Sequence, residues 1–116
     1  MTSTILGIAM ISMGVLFSTV AIPLLKGMVR MNKFYGFRIK KAYQSDELWY
    51  KINEYGARQF IYGSIFLFVT GLVLIIIPEL MNINLPDLFL MILYLTVTSV
   101  ILSVPVIRTI IYAKKL

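Results

Sequence analysis

Residues 60–78 read FIYGSIFLFVTGLVLIIIP, a run without one charged side chain. At about 1.5 Å of rise per helical residue, such a run is long enough to cross most of the roughly 30 Å hydrocarbon core of a bilayer. A Lys or Arg in its middle would cost about 2.5–3.5 kcal/mol on insertion, so the absence of charge is informative. Two further stretches have the same character, Ile5–Leu25 and Leu88–Ile107. The chain therefore reads as an all-α integral membrane protein with three transmembrane helices. A long polar connection, Lys26–Gln59, joins the first two, and a short acidic one, Glu79–Asp87, joins the last two. A basic tail, 108–116, follows.

Composition agrees. Of 116 residues, 59% are hydrophobic and 14% charged, against about 25% charged in soluble domains. A chain this small and this apolar cannot cover its own apolar surface in water, and disordered chains lie at the opposite compositional extreme. There is no cysteine and no histidine, which removes disulfides, thiolate metal sites and the commonest general base. No metal and no cofactor is expected. The acid–base groups near the interface are Asp46, Glu47, Glu54, lysines and tyrosines, with no paired-carboxylate or nucleophile motif among them, so catalysis is not expected.

The bases decide orientation. Lys26, Arg30, Lys33, Arg38, Lys40, Lys41, Lys51 and Arg58 lie in the long connection, and Arg108, Lys114 and Lys115 in the tail. The short connection carries only Glu79 and Asp87. The positive-inside rule then predicts a cytoplasmic loop and C-terminus, with the N-terminus outside. The net charge of +6 is accordingly read as contact with anionic headgroups, not as a nucleic-acid surface. Met1–Thr4 lacks the basic start of a signal peptide, so the first span is read as retained.

Small residues mark helix-packing faces. In the first span these are Gly7, Gly14, Ser18 and Ala21, with Gly14 and Ser18 at the four-residue spacing that lets backbones approach. The second span offers Ala57, Ser64 and Gly71, with Gly56 and Gly63 beside them; the third offers Thr96, Ser99 and Ser103. Packing within the chain is the preferred reading, with a homo-oligomer seam as the alternative. Pro23 and Pro105 are expected to end their helices near the basic boundary. Pro78 closes the second span, and Asn84-Leu85-Pro86 opens the third.

The 34-residue connection is too long to be a mere linker. Its first part, Met31-Asn32-Lys33-Phe34-Tyr35-Gly36-Phe37-Arg38-Ile39, sets aromatics suited to the headgroup level around a glycine turn and an arginine. Its second part reads as an amphipathic, interfacial helix. Ser45 is the N-cap and Asp46 and Glu47 sit in the first turn. Leu48, Ile52 and Tyr55 share one face; Trp49, Asn53 and Gly56 share the next; Lys51, Glu54 and Arg58 are left for water. The helix is expected to run into the second span through Gly56. Trp49 reads as an interfacial anchor, and Asn53 as an amide that needs a partner if buried. Arg38 offers a planar five-donor fork for a phosphate, a carboxylate or a ring of carbonyls. The structural alternative is that it pairs with Asp46 or Glu47, or caps helix carbonyls.

Asn32, Tyr35-Gly36-Phe37-Arg38, Ser45, Trp49, Asn53 and Gly56, in this order and leading into an apolar helix, resemble the SdpI family. Its members carry N-x-x-[FY]-G-[IF]-R-[TI], then Ser, Trp, Asn and Gly at this spacing; Ile39 stands here where many have Thr. The resemblance implies a bacterial plasma-membrane protein that gives immunity against a secreted, membrane-active peptide toxin by binding. A membrane or cytoplasmic regulatory protein is a further implied partner, besides membrane lipids. A small transporter or an accessory subunit of a larger membrane complex is the competing reading, the transporter weakened because no Asp, Glu, Lys or Arg lies within a span.

Overall fold

The computed structural model describes residues 1–116. It contains three long helices, α1 (Thr2–Leu25), α2 (Asp46–Leu80) and α3 (Asp87–Lys114), with a single 3-10 turn, Lys40–Gln44, before α2. There is no strand. All three helices are long and apolar enough to cross a membrane. Their lipid-facing surfaces carry the exposed apolar side chains, among them Ile8, Leu16, Phe66, Val69 and Ile92. Only 21 residues are buried, a core too small to hold the chain together in water but ordinary for helices solvated by lipid.

Helix α2 sets the long axis. Its 35 residues correspond to about 52 Å, close to the 55 Å length of the molecule. About 20 Å of that, residues 46–59, extends past the predicted span on the side of the long connection. Residues 46–59 are therefore not a separate helix lying on the membrane surface. They are the first turns of α2, continuous through Gly56 as the sequence suggested. Their Trp49, Ile52, Asn53 and Gly56 face is buried in protein instead of lipid. Ser45 caps the helix, its Oγ accepting the N–H of Leu48 at 3.1 Å. Glu47–Lys51 and Glu54–Arg58 line the water face as i,i+4 pairs.

Helices α1 and α2 share the most extensive interface in the fold, and glycine is its cause. A Cβ on Gly7 would lie 2.6 Å from the Gly71 carbonyl oxygen, and one on Gly71 equally close to that of Gly7. Gly14 meets the Ser64 carbonyl in the same way. With Ala21 against Ala57 in one buried cluster, the small-residue faces of the first two spans are used within the chain; Ser18 sits half-buried at their margin. Met10, Leu67, Leu74 and Leu90 fill the middle of the bundle.

The third span departs from expectation. Thr96, Ser99 and Ser103 are exposed, so they do not form its packing face. The buried positions are Leu90, Thr98, Pro105, Thr109 and Ala113, and the larger side chains of Leu90 and the neighbouring Val97 and Ile101 contact the core. Pro105 does not end α3 either: the helix runs nine residues further, to Lys114. A proline removes one helix hydrogen bond, but here its ring packs near Gly63 and the Thr109 hydroxyl donates to the Pro105 carbonyl at 2.6 Å. Pro23, by contrast, lies in the last turn of α1. Gly27, at φ +67°, then reverses the chain.

Candidate functional site

The long connection folds back on the loop-side end of the bundle, and its motif residues hold it there. Asn32 organises the first turn. Its Oδ1 accepts the N–H groups of Phe34 (2.8 Å) and Tyr35 (2.7 Å), while its Nδ2 donates to the carbonyls of Arg30 (2.7 Å) and Tyr35 (3.1 Å). Asn and Asp favour such local turns because the short side chain mimics backbone. The Tyr35 hydroxyl donates to the Val20 carbonyl of α1, and the Tyr43 hydroxyl donates to the Asn32 carbonyl at 2.9 Å.

Gly36 follows at φ +120°, a conformation that L side chains rarely adopt. A Cβ there would also meet Asn53 Oδ1 at 2.7 Å and the Trp49 ring at 3.1 Å. The turn brings the backbone of Phe37 directly onto Asn53, whose Oδ1 accepts the Phe37 N–H at 2.5 Å. Asn53 Nδ2 donates to the Trp49 carbonyl at 2.9 Å. The amide predicted to need a partner has two, and it is almost completely buried. Phe37 then lays its ring on Gly56, the place where a Cβ would stand.

Trp49 is fully buried, not an interfacial anchor. Its Nε1 donates to the Val29 carbonyl at 2.9 Å, and Tyr43 packs on its ring at 5.5 Å between centroids. Trp49, Ile52 and Ala42 form a second core with Ala113 of α3. The basic tail thus extends a helix that closes this core. Tyr55 of α2 stacks on Tyr112 at 4.1 Å and 6°, and Arg108 Nη1 donates to Gln59 Oε1 at 3.0 Å. Reading the sequence missed Thr109, Tyr112 and Ala113. The signal was there: Pro105, Thr109 and Ala113 recur every four residues on one face.

Arg38 behaves differently from the rest of the motif. It is exposed, and Nη1 donates to the Lys33 carbonyl at 2.8 Å. It pairs with neither Asp46 nor Glu47; both ion pairs of the chain lie on α2. Phe34, beside it, is 89% exposed. Asn32, Tyr35, Gly36, Phe37, Trp49, Asn53 and Gly56 are thus brought together and turned on one another, Ser45 stays at the exposed N-cap of α2, and Lys33, Phe34 and Arg38 are presented outward. Below them lies a groove of about 570 Å³ between α1, α3 and the loop.

Among known proteins, the sequence model of the SdpI/YfhL protein family matches residues 28–112, which cover well over half of the chain. No curated protein and no solved structure matches.

Proposed function

From the premise that the chain belongs to the SdpI/YfhL family, we propose that it is a bacterial plasma-membrane immunity protein that neutralises a membrane-active peptide by binding it. In this reading the loop and the C-terminus face the cytoplasm, where the basic residues meet anionic headgroups. One observation carries the proposal. The polar atoms of Asn32, Trp49 and Asn53 are spent on the chain's own backbone, and Lys33, Phe34 and Arg38 of the motif segment are left outward. A ring for an apolar anchor beside a forked cation is a surface for the end of an amphipathic peptide that has crossed the bilayer. The cation would take its carboxylate or its unpaired carbonyls.

The test is a toxin challenge of cells lacking the protein and complemented with wild type, Arg38→Ala, Arg38→Lys or Phe34→Ala, each at matched membrane abundance. Wild type is expected to restore survival, Arg38→Ala to lose it, and Arg38→Lys to keep part of it. Full protection by both Arg38 variants removes the arginine from binding, and no protection by wild type overturns the reading.

A further inference from the structure

The groove under the loop has two chemically distinct ends. Its walls are apolar: Phe17, Val20 and Leu24 of α1, Phe60 of α2, and Val106 and Ile110 of α3. Arg38 is the one charged residue that lines it, at the loop end. Only its Nη1 has a partner within the chain, so four of its five donor hydrogens remain for an anion. No carboxylate lines the groove, and none pairs with Arg38. The groove runs between α1 and α3, which touch each other far less than either touches α2. Val20, Val106 and Ile110 are about two-fifths exposed along it, so it is open sideways to lipid.

We infer that this groove is a site for one anionic phospholipid of the loop-side leaflet, with its phosphate on Arg38 and an acyl chain against Phe17, Val20 and Val106. The setting of the groove selects the occupant: it opens sideways between α1 and α3 through exposed Val20, Val106 and Ile110, where a hydrocarbon chain enters directly from the bilayer. The charge at one end and the apolar walls below it match a headgroup and its tail, and the loop lies where a headgroup must lie. The inference does not depend on the immunity reading, since lipid occupancy is measured on purified protein with no toxin present.

The full chain, reconstituted in vesicles of equal phosphatidylglycerol and phosphatidylcholine, is released into detergent and weighed by native mass spectrometry. Wild type is expected to keep one phosphatidylglycerol per chain, preferred about tenfold over phosphatidylcholine, as suits one set of charge-assisted hydrogen bonds. Arg38→Gln is expected to lose the preference, and Val106→Trp, which fills the groove, to lose retained lipid of both kinds while circular dichroism stays helical. Equal retention of the two lipids by wild type, an unchanged preference in Arg38→Gln, or a bound peptide in place of lipid overturns the inference. Loss of phosphatidylglycerol to inorganic phosphate alone also overturns it, because the site would then read a free anion.

Discussion

The side-chain oxygen of Asn53 accepts the backbone N–H of Phe37 at 2.5 Å, across 16 residues of sequence. The same amide donates back to the Trp49 carbonyl one turn earlier on α2. One buried side chain thereby fixes the loop to the helix at both its donor and its acceptor. Asn53→Ala leaves the Phe37 amide without a partner, at a cost of about 1–3 kcal/mol; the better helix propensity of alanine returns only about half a kcal/mol. Unfolding in mixed micelles is expected to show this loss, together with a loosened loop that a protease cuts between residues 30 and 44.

Gly56 and Phe37 form a matched pair, because the ring occupies the space of a glycine's missing Cβ. Gly56→Ala therefore displaces the ring and costs about 1–3 kcal/mol through overpacking. Phe37→Ala in the same chain relieves the clash, so the double variant is expected to be less destabilised than the sum of the single ones. A coupling of about 0.5–3 kcal/mol is the range for side chains in contact. Strict additivity would mean that ring and glycine do not touch.

Two glycines of α2 separate steric need from helix propensity. Gly71 faces the backbone carbonyl of Gly7 at 2.6 Å, which cannot step aside; Gly63 faces the Ile101 γ2 methyl at 3.1 Å, where a shift of a few tenths of an ångström is enough. Alanine gains up to about 1 kcal/mol over glycine in a helix. Gly63→Ala is expected to be near neutral, while Gly71→Ala forces α1 and α2 apart and destabilises by more than about 1 kcal/mol. Steric-trap or denaturant unfolding in bicelles measures both.

These relationships show which parts of the molecule the residues announce. The spans are legible because charge cannot sit in hydrocarbon, and the α1–α2 seam because glycine at regular spacing has few other uses in a membrane helix. Asn53 announced a need for a partner but not which one: Phe37 N–H is a distant backbone group brought in by the turn at Gly36. The end of α3 was misread for a physical reason. Arg108, Lys114 and Lys115 look like a membrane boundary, and Pro105 looks like a stop. The stripe of Pro105, Thr109 and Ala113, however, had a buried partner in Ala42, Trp49 and Ile52, and that packing outweighs one missing hydrogen bond. Thr96, Ser99 and Ser103 can stay exposed on α3 because a hydroxyl can satisfy itself within its own helix. Ser103 Oγ donates to the Ser99 carbonyl at 2.7 Å.

Topology is open to direct chemistry, since the chain has no native cysteine. Lys40 and Asn84, both exposed, lie at opposite ends of the bundle. In intact cells, Asn84→Cys is expected to react with a membrane-impermeant maleimide and Lys40→Cys only after the membrane is opened. The reverse pattern would invert the proposed orientation.

The central claim is that the long connection is a folded platform pinned to α2 by Asn53, and amide hydrogen exchange at Phe37 in a lipid bilayer reads it most directly. The Phe37 N–H is expected to exchange at least about a hundredfold more slowly than an open chain, a protection of about 2.7 kcal/mol, and to lose most of it in Asn53→Ala. Exchange of the wild-type Phe37 amide at the rate of an unfolded peptide would contradict the account.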